Sequence, residues 1–326
     1  MYQLSISEVN ISNMDNGCIK KQGGIEMLGR NVVQPVRSIP ILMKSKIKYI
    51  FGWTWILALN LLIVGNGFPP MKPSILILLS MIFLSSSVYI YNDIVDAEMD
   101  KENEVKKNRP IASGQVKKSD AEKIVYLLGF VGLAFSWLVN IYSFSFILIF
   151  YILFYLYSYP SIRLKTRFLA KDFTLFIGPP LLCLAANYAI SDVFSILAFS
   201  SAILSALYVL TQAPVANDAS DVVEDKKYGV KSISTMFSWE NKVRFMILGI
   251  LLQMILVPIV QLHFGSNLLL PIVSIFMLLL LLRYTYPLLK EYNLNDFNKT
   301  HKLAYLYMFT SPITFIFISS GFPLFL

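Results

Sequence analysis

Apolar residues along this chain come in long runs separated by short polar stretches. Nine runs stand out, at residues 48–67, 73–92, 121–140, 143–160, 169–190, 193–215, 243–263, 266–286 and 304–325. Most approach the roughly 20 residues that carry a helix across a bilayer. The pattern therefore predicts an all-α membrane protein with nine transmembrane helices. The first 44 residues are polar and mixed, and predict a mobile N-terminal region ahead of a membrane domain at 45–326. No basic stretch precedes a short apolar run there, so the region does not read as a signal peptide. Within it lies 20-KKQGGIEM-27, whose paired glycines can be encoded by GGAGG, seven nucleotides before the Met27 codon. In a bacterial gene that is ribosome-site spacing, which makes Met27 a candidate start beside Met1. N-terminal mass spectrometry of natively expressed protein decides, and an intact Met1 peptide removes the idea.

Composition supports the span reading. The chain is 56% hydrophobic and 15% charged, with mean hydropathy +0.61, whereas soluble proteins average about a quarter charged. Cys18 and Cys183 make no metal spacing and read as inert thiols. A net charge of +8 would suit nucleic acid, but its distribution argues for topology instead. With the N-terminus placed in the cytoplasm, 27 of the 28 Lys and Arg residues fall on the cytoplasmic side, and Lys72 is the exception. That bias fixes the orientation expected of a multi-pass cell-membrane protein whose charged loops face the cytoplasm. The expected partner is therefore the lipid bilayer, with no nucleic acid.

One charge pattern does not follow from topology. After the second run the chain reads 92-NDIVDAEMD-100, with Asp93, Asp96 and Asp100 spaced i, i+3, i+7. On a helix these share one face. Three carboxylates at close range repel one another unless something positive sits among them. Divalent Mg²⁺ suits them, because it takes hard oxygens and completes its shell with water and substrate phosphate. The alternative is an exposed helix end whose acids face water. Against that, Asn217, Asp218, Asp221 and Asp225 repeat Asn92, Asp93, Asp96 and Asp100 at a constant offset of 125 residues. Both copies follow an apolar run on the same side. They suggest a shared metal–diphosphate role for all six aspartates, and a pseudo-repeat of a four-helix unit.

The stretches 92-NDIVDAEMD-100, 108-NRPIASG-114, 155-YLYSYPSIRLK-165 and 218-DASDVVEDKKYGVKS-232 resemble the UbiA superfamily of intramembrane prenyltransferases. The resemblance runs from about residue 45 to the end. It implies nine transmembrane helices around a central cavity, with two Asp-rich motifs facing each other over Mg²⁺ and a prenyl diphosphate. The first helix of the family often carries an Asn near the diphosphate, and Asn60 is the candidate here, with helix–helix hydrogen bonding as the other explanation. Where the family often has Tyr-x-x-x-Lys, this chain has Tyr159 and Arg163, with Lys165 two further on. That departure leaves open which cation touches the diphosphate.

The chemistry implied is ionisation of the prenyl diphosphate. Mg²⁺ on the two rows would stabilise charge on the leaving group, and Arg109, Arg163, Lys165 and Lys231 are candidate helpers. Each also has an ordinary reading as a topology residue. Aromatic faces suit the allylic cation, and Tyr151, Tyr155 and Tyr159 lie at i, i+4, i+8. Tyr155 and Tyr159 are the candidates, though aromatic residues also pack helices and anchor interfaces. Asn187 reads as structural, His263 and His301 as interface residues, and Gly178-Pro179-Pro180 as a break or bend in the fifth run. The expected reaction is prenyl transfer to a hydrophobic acceptor, aromatic or lipid, entering from the lipid phase or the cytoplasmic mouth. Rival readings are a terpene cyclase on the same fold, a lipid-phosphate phosphoribosyltransferase branch, and a divalent-cation transporter. A transporter would want acids deep within the spans rather than at their ends.

Overall fold

The structure, a computed structural model, describes residues 25–104, 106–216 and 222–321, with side chains from Arg37 onward. Among the described residues there is no strand. The helices are α1 (Ile25–Val64), α2 (Met71–Lys101), α3 (Lys118–Trp137), α4 (Ile141–Ser158), α5 (Ala170–Ile190), α6 (Ile196–Ala216), α7 (Val222–Lys227), α8 (Ile233–Met236), α9 (Trp239–His263), α10 (Leu269–Thr285) and α11 (Leu294–Ser319).

Eight of the described helices are long and apolar enough to cross a membrane. The run expected at 121–140 does not reach that standard as α3. Lys118, Asp120, Glu122 and Lys123 crowd its first turns, leaving 124–137 free of charge, short of the about 20 residues a span needs. Helix α1 starts before the expected domain boundary at 45. Leu42 is buried among Ile90, Ile94 and Val125, so at least the end of the polar stretch belongs to the bundle.

Helix α2 is 31 residues long. At about 1.5 Å per residue it exceeds the hydrocarbon thickness by some 15 Å. Pro70 and Pro73 sit at its start, where missing N–H groups cost no hydrogen bond. Ser85, Ser86 and Ser87 are fully buried. Two of the hydroxyls return to carbonyls of the preceding turn, and Ser87 reaches the Val125 carbonyl of α3 at 2.9 Å. Small side chains let α2 and α3 lie close, and hydroxyls without a local partner would be costly in lipid.

Apolar packing divides into two main cores. Trp53, Leu57, Met81, Phe150, Phe154 and Leu182 join α1, α2, α4 and α5. Tyr208, Met246, Ile250, Leu278, Leu281 and Tyr307 join α6, α9, α10 and α11. A third group, including Ile63, Cys183, Ala198 and Phe315, ties the two together. Cys183 is a free buried thiol, while Cys18 lies outside the described residues. Helix α5 runs through Pro179 and Pro180 as a single helix rather than breaking there. Gly178 leaves room for the Trp53 ring, which a side chain would displace.

Candidate active site

The first acidic row is part of α2, not of a loop. The helix continues to Lys101, so Asp93, Asp96 and Asp100 do share one face, and all three are at most 5% exposed. The row is buried against cations from three other segments. Lys46 of α1 donates to Asp93 Oδ1 at 2.5 Å. Arg109 spans Asp93 and Asp100 with one nitrogen, at 3.1 and 2.8 Å. Arg163 reaches Asp96 Oδ1 at 3.2 Å, and Lys165 holds Asp96 Oδ2. Asn92 donates to Asp96 Oδ2 at 3.0 Å and to Ser158 Oγ at 2.9 Å, which ties the row to the end of α4.

Arg163 and Lys165 get there by an unusual backbone. The α4–α5 connection holds Arg163 at φ 43° and Leu169 at φ 62°. Non-glycine residues in that region cost on the order of 1–3 kcal/mol each, and such strain gathers at functional sites. Between the two strained residues a short 3₁₀ turn (Leu164–Thr166) turns Lys165 inward. Burial pushes the Lys165 ammonium below its ordinary value, opposed by Asp96 and, more weakly, by Asp225.

Of the second row, Asn217, Asp218 and Asp221 lie outside the described residues. Asp225 stands on α7 and meets Lys171, the second residue of α5, at 3.5 Å. The segment after α7 is fastened to the same connection: Lys231 N–H donates to the Thr166 carbonyl at 3.2 Å, and Ile233 N–H to Asp172 at 3.4 Å. The Lys231 side chain itself is exposed. Above the mouth, Glu102 accepts from Lys227 at 2.5 Å and from Tyr228 at 2.7 Å, clasping the loop after the first row to the end of α7.

Three expected site residues make none of these contacts with the acidic row. Asn60 lies fourteen residues beyond Lys46 on α1, about 21 Å of helix rise away from the acidic row. It is buried, donates to the Ile56 carbonyl, and leaves its own oxygen without a partner. Tyr155 stacks on Tyr91 with centroids 4.2 Å apart, and Tyr159 continues that ladder at 5.9 Å. Tyr91 precedes Asp93 by two positions, which turns it off the acidic face. The aromatic group under the row is a different one. Tyr89, one turn below Asp93, stacks on Tyr49 at 5.0 Å and accepts from Trp53 Nε1 at 2.7 Å. Trp53 in turn lies edge-on to Phe150 and Phe154.

Lys46, Lys171, Tyr89 and Trp53 were not singled out from the sequence. The signal was present as spacing: Tyr89 is four before Asp93, and Trp53 is seven after Lys46, both same-face intervals.

Among the described residues, three carboxylates of the first row face four cations. That excess positive charge suits an anionic ligand. No group of three or more acids, imidazoles or thiols closes around one point among the described residues. Mg²⁺ does not require such a cage, because it commonly takes one or two carboxylates and fills its shell with water and substrate phosphate. Asp100 Oδ1 is a buried oxygen with no protein partner, a hard donor of the kind that fits.

Known proteins resemble this chain in sequence and in fold. Residues 51–313 match the family model described as UbiA prenyltransferase family. Digeranylgeranylglyceryl phosphate synthase of Methanobrevibacter smithii is 29% identical over 252 residues, covering 74% of this chain and 86% of that protein. The 4-hydroxybenzoate octaprenyltransferase of Vesicomyosocius okutanii is 27% identical over 222 residues, covering 65% and 75%. In fold, the chain is similar to a UbiA homolog from Archaeoglobus fulgidus bound to GPP and Mg²⁺, with TM-score 0.62 and 18% identity, covering 86% of this chain and 99% of that one.

Proposed function

This chain belongs to the UbiA prenyltransferase family and is a membrane-bound prenyltransferase, and we propose that it transfers a prenyl group from a prenyl diphosphate to a hydrophobic acceptor, aromatic or lipid, with Mg²⁺. The observation that carries the reading is the buried first row. Three aspartates on one helix face are held by four cations, at the mouth of an apolar bundle. Asp93, Asp96, Asp100, Asp218, Asp221 and Asp225 would hold Mg²⁺ and, through it, the diphosphate. Bound Mg²⁺ supplies charge neutralisation of the diphosphate as it leaves.

The chain's own residues do the rest. Arg109 and Arg163 offer planar forks for phosphate oxygens, and Lys46 and Lys165 offer point charges. In the resting protein these groups rest on carboxylates. An arriving diphosphate gives them a second anion, which the excess positive charge of the resting site favours. Asn92 keeps Asp96 oriented through Ser158. The faces of Tyr49, Tyr89 and Trp53 lie under the row and suit an allylic cation, and the apolar cores around them exclude water. We place the N-terminus and this mouth on the cytoplasmic side, and count α3 as a ninth, shorter crossing. The distribution of 28 Lys and Arg residues supports both.

The reading is tested by incubating purified protein with labelled geranyl, farnesyl and geranylgeranyl diphosphates and Mg²⁺. Two acceptors are offered separately, 4-hydroxybenzoate and geranylgeranylglyceryl phosphate, and products are weighed by mass spectrometry. A prenylated acceptor formed only with Mg²⁺ supports the proposal, and its mass gives the chain length. A terpene formed without acceptor contradicts transfer. Intact diphosphates under every condition contradict the prenyl donor.

A further inference from the structure

The two acidic rows are 125 residues apart in sequence, and the structure extends that interval beyond the aspartates. Helices α2 and α6 begin at Met71 and Ile196, 125 apart. Lys46 and Lys171 share the spacing. Each is buried, at 3% and 6% exposure, and each is paired with an acid of its own half, Asp93 and Asp225. Glu102 and Lys227 are also 125 apart, and they touch at 2.5 Å. Equivalent positions of two related units meet beside the axis that relates them. A contact between such positions at the mouth therefore brings the end of α2 beside α7, which carries Asp225.

A buried ammonium paired with a carboxylate is a poor way to stabilise a fold, since apolar residues of the same volume do as well or better. Two buried lysines at equivalent positions, each against an aspartate of its own row, point to a role in the site. Resting on the family reading above, we propose that Lys171 is a diphosphate-binding residue of the second half, the counterpart of Lys46 in the first. In the resting protein its ammonium stands beside Asp225, where a metal ion would otherwise compete for the same carboxylate. When a metal–diphosphate enters, the ammonium moves from the carboxylate to a phosphate oxygen. No covalent bond changes in this exchange. Metal alone therefore binds against Lys171, while metal with diphosphate binds with its help.

The two effects of removing the charge have opposite signs, which a purely structural lysine does not produce. The experiment uses the full chain in detergent. Mn²⁺ alone is titrated by electron paramagnetic resonance, and Mg²⁺ with inorganic diphosphate by calorimetry. Lys171→Gln is expected to bind Mn²⁺ at least threefold more tightly and Mg²⁺–diphosphate at least tenfold more weakly, while Lys171→Arg keeps diphosphate binding within about threefold of wild type. Unchanged values in Lys171→Gln overturn the assignment. Should that variant not purify as a single species, Lys171→Gln with Asp225→Asn removes both buried charges together. Diphosphate binding weaker in the double variant than in Asp225→Asn alone supports the role, and equal binding overturns it. Wild type that binds no Mg²⁺–diphosphate at all would instead overturn the functional reading on which the proposal rests.

Discussion

The two ends of the bundle bury polar groups of different kinds. At the mouth they are charged: Lys46, Asp93, Asp96, Asp100, Lys165 and Lys171 are all buried. At the opposite end they are neutral amides and hydroxyls. Asn187 donates to the Val193 carbonyl at 3.1 Å and accepts from Ser195 N–H at 2.8 Å, closing the α5–α6 turn. Asn140 caps α4 through Ser143 N–H and donates to the Tyr188 carbonyl at 2.7 Å. Gln261 joins α9, α10 and α11 through Ser274 and Thr314. Neutral groups such as Asn140 and Asn187, hydrogen-bonded by the protein, hold helices together at modest cost. Clustered charges are far more expensive to bury, and a protein that keeps them gains something other than stability from them.

That contrast can be broken or sharpened by substitution. The largest effect is expected at the acids. Asp93→Asn or Asp96→Asn should lower kcat by at least about a hundredfold, the scale of losing a preorganised charge at the reacting group, while the protein still inserts in the membrane. Steady-state kinetics with the identified acceptor reads this, and full turnover in either variant refutes the assignment of the row. Lys46→Met comes next. It should raise KM for the prenyl diphosphate about tenfold and destabilise by about 3–5 kcal/mol, because Asp93 loses a buried partner. Thermal unfolding beside KM measures both, and an unchanged KM would leave Lys46 as packing only. At the far end the pattern inverts: Asn187→Ala should cost about 1–3 kcal/mol of stability and leave kcat within about twofold.

The smallest effect is expected at the Glu102 clasp, which is exposed to water. Hydrogen bonds from Lys227 and Tyr228 hold the Glu102 carboxyl below its ordinary value. A depressed carboxyl contributes stability that is present above its unfolded value, about 4.3, and is lost as pH falls through the folded value. Lys227 is shifted up by Glu102, so its contribution is present below its unfolded value and lost as pH rises through the folded one. The clasp should therefore be insensitive to pH between about 6 and 8 and loosen below about 4. Glu102→Gln should remove the acid limb and leave neutral-pH turnover nearly unchanged. A protease-accessibility profile of the loops against pH, with and without the substitution, checks this.

Much of the fold was legible because lipid demands unbroken apolar helices. Eight runs read from hydropathy are helices able to span. The shortfall at α3 has a physical cause in the four charges of its first turns, which the apolar run after Ile124 concealed. The acidic face of α2 was legible from its i, i+3, i+7 spacing, because the helix continues through it. Lys46 and Lys171 were not, since a single lysine near a span end reads first as a topology residue, and only packing shows that it points inward. Asn60 and Tyr155 are less legible for a related reason. Residue type made them candidates, while their contacts are with the Ile56 carbonyl and the Tyr91 ring rather than with the acidic row. Pro179 and Pro180 suggested a break, yet prolines in a buried helix can be carried when neighbours satisfy the freed carbonyls.

The most direct test sets the two ends against each other in one assay. Wild type, Asp93→Asn and Asn187→Ala, each reconstituted in lipid nanodiscs, are given labelled geranylgeranyl diphosphate, Mg²⁺ and acceptor, and prenylated product is counted. The account predicts product from wild type and Asn187→Ala, and none above background from a correctly folded Asp93→Asn. Wild-type yield from Asp93→Asn would contradict it.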